Sequence, residues 1–461
     1  MVWQAKEHEL HGHLAKRGVF ASPRLGKTLG TTISLRELDA TQALVSAPSK
    51  VCPIWMDVLR KGGLESHPLY RMTGAQIEAF LRNRRSWQGV AVVNRDKLPV
   101  CAKYGRYVGA FVADEVHNYS TPGARRGRAY RKLARSVPWV RGLTGTPTPK
   151  HYGSLWGQLM PFDPQRWDTS YERFDRRYIL RTGMFDKVVG FDHEAELQQM
   201  MLDVAAIYRR EDIFGPDSWQ VVQRDVELPG KVWDLYRKLA REWVIDDPSF
   251  GTLSAAQAGV RMMRLQQITS GFVPDFTSEN PEPTPIELHR AKHELLIEDM
   301  GEIVQSDEKI AVFHRFVPEG RLAVEMIREE YGAACPVFAI NGDTDDDEAF
   351  RSANGFNATE GSAAIVVQLQ SGSEGINLQE AAYIATLSRT MSFIEDEQAR
   401  DRCYKRGPTG GVPRVIMHYE VPGTVDEHIS QDILQPKRML HEAVRNADRE
   451  TIVFGPKWRK H

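Results

Sequence analysis

The sequence predicts an α/β protein made of two parallel-sheet lobes with a helical region inserted between them. Residues 1–165 alternate short apolar, β-branched runs with turn residues and helical stretches, the pattern of a parallel sheet covered by helices. The same alternation returns over residues 291–461. Between them, residues 166–290 lose the buried runs and gain aromatic-rich helical stretches.

In the first lobe the strand candidates are Gly18–Ala21, Ala43–Ala47, Val90–Asn94, Val108–Asp114 and Val140–Gly145. The helical insertion is marked by Lys231–Val244 and Ala255–Ile268, and ends in the Pro- and Glu-rich stretch Pro274–Pro285, an expected exposed loop. Strand candidates of the second lobe are Lys309–His314, Val337–Ile340, Ala363–Leu369, Ala382–Leu387 and Val415–Val421. There is no repeat at a fixed period.

A chain of 461 residues exceeds what one hydrophobic core organises, which agrees with several units. Hydrophobic residues at 41% and charged residues at 26% exclude a disordered or fibrous chain. The formal charge is -1, so any nucleic-acid surface must be local. Cys52, Cys101, Cys335 and Cys403 form no C-x-x-C pair, which argues against a zinc site or a disulfide framework and for a reducing compartment. No run of 18 apolar residues and no apolar signal core is present. A cytoplasmic protein without membrane partners is the expectation.

Residues Gly18–Thr28, GVFASPRLGKT, place a short apolar strand before a loop ending Gly26-Lys27-Thr28 and a plausible helix. Strand, loop and helix in this order form a phosphate cradle, in which backbone N–H groups meet the phosphates. Lys27 would reach the β and γ phosphates and Thr28 would ligate Mg²⁺, with Arg24, Leu25 and Gly26 completing the loop. Ala21 stands where the usual signature has its first glycine.

Further on, the apolar run VGAFVAD ends in Asp114-Glu115-Val116-His117, an acidic pair at the edge of a sheet where ligands bind. Asp114 suits a Mg²⁺ held through water, and Glu115 suits a group that polarises the water attacking a γ-phosphate. Gly142-Leu143-Thr144-Gly145-Thr146-Pro147 is a second strand that runs into a hydroxyl-rich turn able to sense that phosphate.

With these motifs in order the chain resembles a superfamily 2 helicase, and more finely the Swi/Snf-type branch of DNA-dependent ATPases. Trp3-Gln4 stands where that family reads adenine, and Ala47-Pro48-Ser49 followed by Trp55 resembles its motif Ia. Leu155-Trp156, and Arg264-Leu265-Gln266-Gln267-Ile268 with Ser270-Gly271, are further family habits. Ser371-Gly372-Ser373-Glu374-Gly375-Ile376-Asn377-Leu378 resembles motif V, Gln398-Ala399-Arg400-Asp401-Arg402 resembles motif VI, and Gly423-Thr424-Val425-Asp426-Glu427 resembles the block that follows.

The resemblance implies two RecA-like lobes, ATP and Mg²⁺ as cofactors, and DNA, duplex in particular, as the partner. It also implies a minimal motor of the phage or bacterial kind, working in a host's cytoplasm in the former case. Catalysis would rest on Glu115, Asp114, Gln398 and Arg402, and the nucleotide would also meet Gly375. The nucleic-acid contacts would be Pro48, Ser49, Thr144, Gly145, Ser371, Gly372 and Asn377. The second arginine of motif VI falls on Lys405 with Arg406 beside it, so either could serve as the finger. An ammonium there would be a weaker clamp than a guanidinium. The alternatives are a strand-separating DNA or RNA helicase, and an ATP-dependent clamp with little hydrolysis.

The stretch Arg125–Arg135, RRGRAYRKLAR, has six basic residues and no acid. Helical spacing puts Arg125, Arg128, Lys132 and Arg135 on one face, opposite Tyr130, Leu133, Ala134 and Val137. That basic face can track a phosphate backbone without reading sequence. A second cluster, Arg82-Asn83-Arg84-Arg85-Ser86-Trp87, combines charge with an aromatic ring. His8, His11 and His13 resemble a metal tract with no evident task. Asp343–Glu348, DTDDDE, lacks the glycine of a calcium loop and reads as a helix N-cap.

Overall fold

The computed structural model describes residues 14–23, 25–38, 42–83, 87–148, 152–182, 187–214, 219–244, 255–274, 285–370, 376–404 and 414–445. The chain divides into two compact units, one of Met1–Pro216 with Lys437–His461 and one of Asp217–Pro436.

The first unit is built on β1 (Lys16–Ala21), β2 (Gln42–Ala47), β3 (Ser66–Pro68), β4 (Gly89–Asn94), β5 (Ala110–Ala113), β6 (Trp139–Thr144) and, after a hairpin of β7 (Ile179–Thr182) and β8 (Lys187–Phe191), β9 (Ala205–Tyr208). Its seven-stranded sheet has the order β3-β4-β2-β5-β6-β1-β9, with every pair parallel. Because helices cover both faces, central strands are apolar on both sides. On β2, Ala43, Val45 and Ala47 join a core with Leu35, Trp55 and Leu59 of the helices Lys27–Glu37 and Cys52–Lys61. Leu44 points the other way, into a core with Tyr130 and Leu133 of the helix Arg125–Ser136.

The second unit carries β10 (Trp219–Asp225), a hairpin of β11 (Phe272–Pro274) and β12 (Pro285–Glu287), then β13 (Lys309–His314), β14 (Val337–Ile340), β15 (Ala363–Gln368), β16 (Tyr383–Thr386) and β17 (Arg414–Glu420). The six-stranded sheet runs β10-β17-β16-β13-β15-β14, again all parallel. Ile310 and Val312 pack with Leu296, Met300 and Ile327, while Ala311 and Phe313 face Phe356 and Ala399. Two parallel sheets clothed in helices are the α/β architecture of RecA-like lobes.

Residues 166–290 do not stand as a body of their own: 166–216 group with the first unit and 217–290 with the second. Two parallel strands join the sheets from this region. The four residues of β9 follow the helix Glu194–Val204 directly, too short a run to separate from a helix end by periodicity. The exposed edge strand β10, WQVVQRD, is half polar. Helices Gly230–Val244 and Ala255–Thr269 lie where the pattern places them. The Pro-rich stretch is flanked by paired strands, Pro274 opposite Pro285, and its interior lies outside the described residues. At the other end of the chain, Leu440 packs on the first unit's core. Among the described residues no helix is long and apolar enough to cross a membrane.

Candidate nucleotide site

Parallel register brings the ends of β1, β6, β5 and β2 to one sheet edge, with Phe20 beside Thr144, Gly142 beside Ala113 and Ala113 beside Ser46. Ligands of open α/β sheets bind at that edge.

The loop after β1 is anchored by Leu25, which is buried. Gly26 then turns the chain at φ 77° and ψ 39°, a left-handed conformation that glycine adopts without a Cβ penalty, and the helix Lys27–Glu37 begins. Gly26 offers no side-chain cap to this N-terminus. An uncapped first turn presents N–H groups and the positive end of the helix dipole. Lys27 Nζ donates to the Ala21 carbonyl at 2.8 Å, so its ammonium lies over its own loop. Thr28 is half-buried beside it. Trp3, Gln4 and Arg24 lie outside the described residues.

Asp114 follows β5 and is almost fully buried, its carboxylate accepting from Trp55 Nε1 at 2.8 Å and from the Glu115 N–H at 3.0 Å. Glu115 takes a positive φ of 48°. Its Oε2 lies 3.2 Å from His117 Nδ1, and the Thr144 hydroxyl donates to it at 3.4 Å. His117 Nδ1 in turn lies 2.8 Å from Thr144 Oγ1 and 3.3 Å from Thr146 Oγ1. One imidazole thus ties the acidic pair to the turn after β6. His117 and Thr146 carry no role in the motif reading above, although the spacing Glu-x-His was open to view.

Burial drives the Asp114 carboxyl above its ordinary value, reinforced by the Glu115 charge, with Trp55 and Lys27 opposing. For Glu115 burial acts in the same direction. The hydrogen bond and charge of His117, with Lys27 and Thr144, outweigh it and hold this carboxyl low. The two neighbours are driven apart, with Glu115 the firmly ionised one.

Four of the expected nucleic-acid contacts lie in this unit. Thr144 is fully buried with its hydroxyl committed to Glu115, His117 and the Thr146 N–H, so it belongs to the acidic cluster. Gly145 faces the loop after β1, where an added Cβ would come within 3.1 Å of Pro23. Pro48 is buried, and its carbonyl accepts from Val51 and Cys52 to start the following helix. Ser49 is exposed.

In the second unit, Gln398 and Arg402 lie on the helix Phe393–Arg402, Gln398 half-buried and Arg402 buried with its guanidinium 6.0 Å from the Phe313 ring centre. Asn377 Oδ1 accepts from the Gln379 N–H, and its carbonyl from Asn357 Nδ2. Ser371, Gly372, Gly375, Lys405 and Arg406 lie outside the described residues. The Gln266 and Asp426 blocks, far apart in sequence, meet inside this unit. Asp426 accepts from Thr269 Oγ1 at 2.9 Å and from the buried Lys292 at 2.7 Å, and Lys292 also donates to the Leu387 carbonyl. A single lysine in a helix carries no sequence pattern, so only the fold marks Lys292.

On the helix Arg125–Ser136 the residues Arg125, Arg128, Lys132 and Arg135 are exposed and Tyr130, Leu133, Ala134 and Val137 are buried. Arg131 turns inward, over the Trp156 ring at 4.9 Å. Trp87, read above as part of a basic-aromatic cluster, is instead buried against Phe80 and His67, because its indole completes the core. Asp345 caps the helix Asp346–Ala358, as expected. His8, His11 and His13 lie outside the described residues.

Residues 291–407 match the family of the helicase conserved C-terminal domain. The chain is similar to protein p41 of Acyrthosiphon pisum secondary endosymbiont phage 1, 27% identical over 63% of this chain and 67% of that one. It is also similar to YwqA of Bacillus subtilis, provisionally named an ATP-dependent helicase/translocase, 23% identical over 72% of this chain and 35% of that protein. The Zorya protein ZorD of Escherichia coli is 23% identical over 71% of this chain and 31% of its own length. The chain thus spans about a third of the two bacterial relatives. A solved Sulfolobus solfataricus SWI2/SNF2 ATPase core in complex with dsDNA covers 99% of this chain and 93% of its own, at 18% identity and a TM-score of 0.41.

Residues 291–407 thus carry a helicase conserved C-terminal domain, and the chain is similar to a protein named for ATP-dependent helicase/translocase activity.

Proposed function

We propose that this protein hydrolyses Mg-ATP and uses the cycle to move along duplex DNA. The reading rests above all on the Glu115 carboxylate, held by His117 and Thr144 at the sheet edge that also presents Lys27. Lys27 and the uncapped helix N-terminus would bind the phosphates. Glu115, kept ionised, would accept a proton from the water that attacks the γ-phosphorus, while His117 and Thr144 orient it. The leaving ADP carries away the electron pair of the broken P–O bond.

Thr28 and Asp114 offer one hydroxyl and one carboxylate, the sparse oxygen set that Mg²⁺ takes when nucleotide phosphates complete its shell. When bound, that ion would neutralise charge on the β and γ phosphates. In the second unit, Gln398, Arg402 and either Lys405 or Arg406 are the residues proposed to take part in hydrolysis. The exposed Arg125 and Arg128, with Ser49, would meet the DNA backbone independently of sequence. The name of the Bacillus relative, helicase/translocase, supports a motor.

Steady-state ATP hydrolysis with no nucleic acid, duplex DNA, single-stranded DNA and single-stranded RNA tests this reading. Strong stimulation by duplex that weakens with salt is expected. Preference for single strands would replace the translocase with a strand-separating helicase, and absence of turnover would replace the motor with a clamp.

A further inference from the structure

We infer that Arg389 is a positioning residue for the ATPase, setting the orientation of the helix that bears Gln398 and Arg402; the inference rests on the function proposed above. Arg389 lies between β16 and the helix Phe393–Arg402. Its guanidinium forks onto Asp396 of that helix, Nε to Oδ1 at 3.1 Å and Nη2 to Oδ2 at 2.9 Å. The third nitrogen donates to Ser430 Oγ at 3.1 Å and faces Glu420 at 3.8 Å. Both members of the fork are buried, with side chains 8% and 6% exposed. The backbone of Arg389 is gripped as well. Its carbonyl accepts from Gln266 Nε2 at 2.8 Å, and Gln266 Oε1 accepts from Arg315 Nη1 at 2.6 Å.

One residue is therefore held by the helix Ala255–Thr269, the end of β17, the π-helix Ile429–Leu434 and the helix Phe393–Arg402 itself. A buried ion pair is a poor device for stability alone, since well-packed apolar residues hold a fold as well or better. What a two-bond fork supplies is direction. Asp396 lies in the first turn of a ten-residue helix, and Arg402 follows six residues later, about 9 Å along the axis. A helix that short turns as a rigid rod, so the angle imposed at Asp396 is delivered to Gln398 and Arg402. Among the other buried pairs described, Lys292–Asp426 bonds Thr269 and the Leu387 carbonyl and does not touch this helix.

The test uses the full chain with Arg389→Lys, Arg389→Gln and Asp396→Asn. Arg224→Lys serves as a control, because Arg224 forks onto Asp299 elsewhere in the same unit. Turnover is measured per folded, ATP-binding molecule, alongside KM for ATP and the thermal midpoint. Loss of alignment predicts a kcat roughly 10- to 100-fold lower for Arg389→Lys and Asp396→Asn. KM should stay within about twofold, since the phosphates are held by the first unit. Arg389→Lys keeps the charge and loses the fork, so it should not rescue. The Arg389→Lys/Asp396→Asn double variant should be no slower than either single one.

Wild-type turnover per folded molecule in Arg389→Lys and Asp396→Asn would overturn the inference. So would losses that merely follow the thermal midpoint in all variants, Arg224→Lys included. Lys27→Ala and Arg402→Gln run in parallel: if they retain turnover the ATPase reading itself fails, and if they lose it while the Arg389 variants do not, only the positioning role fails.

Discussion

Trp55 Nε1 donates to Asp114 Oδ2 at 2.8 Å, joining the helix Cys52–Lys61 to the acidic end of β5. Both residues are buried, and the bond replaces one that water would otherwise make to the carboxylate. Trp55→Phe keeps the ring in the core and removes the donor. An unsatisfied buried acceptor costs about 1–3 kcal/mol, so the variant should unfold at lower urea, with slower ATP turnover. An unchanged unfolding midpoint would show that Asp114 finds another donor.

Glu115→Gln keeps the size and removes the proton acceptor. Turnover should fall by at least about 100-fold while ATP binding persists, because under the proposed function the phosphates would be held by Lys27 and its loop. Lys27→Ala should do the opposite and weaken binding first. Equal loss of binding in both variants would contradict this separation of roles.

Thr144→Val tests the buried hydroxyl that serves Glu115, His117 and the Thr146 N–H. Roughly 1–3 kcal/mol of stability should be lost, since the orphaned groups stay in the core. Turnover should fall without a change in duplex DNA affinity. A selective loss of DNA binding would instead return Thr144 to the nucleic-acid face.

Two buried histidines of the second unit predict acid sensitivity. Burial pulls both His293 and His314 down to about 4. His293 Nε2 donates to the Glu319 carbonyl, so it is neutral in a polar core. In the unfolded chain each would take up a proton near pH 6.5, whereas folded they resist until about pH 4. Stability is therefore fully present above pH 6.5 and drains away as pH falls towards 4, by roughly 3 kcal/mol per histidine at the lower limit. Glu319, raised by burial, acts in the opposite direction. The thermal midpoint should fall between pH 7 and pH 5, and less steeply in His293→Gln. A flat profile would mean that the opposing carboxylates dominate.

Replacing Arg125 and Arg128 by Ala should leave unstimulated ATPase activity intact. The concentration of duplex DNA needed for stimulation should rise, and the salt dependence of binding should flatten by about two contacts. Both side chains are exposed, so the fold should tolerate the change. DNA binding with an unaltered salt slope would assign the basic face to solvent.

Residue pattern alone specifies much of this protein. The run Lys309–His314 coincides with its strand, because a strand buried on both faces is apolar along its interior, here Ile310–Phe313. The order of strand, loop and helix at Gly18–Thr28 and the acidic pair at the end of β5 follow the same local patterns. Tertiary structure alone decided the partners. That Thr144 serves Glu115 and leaves the surface, that Trp87 is core, and that Arg389 and Lys292 anchor distant motifs all depend on groups brought together across dozens of residues. Likewise β9 joined the first sheet because an open edge beside β1 offered unpaired backbone groups to a run too short to announce itself.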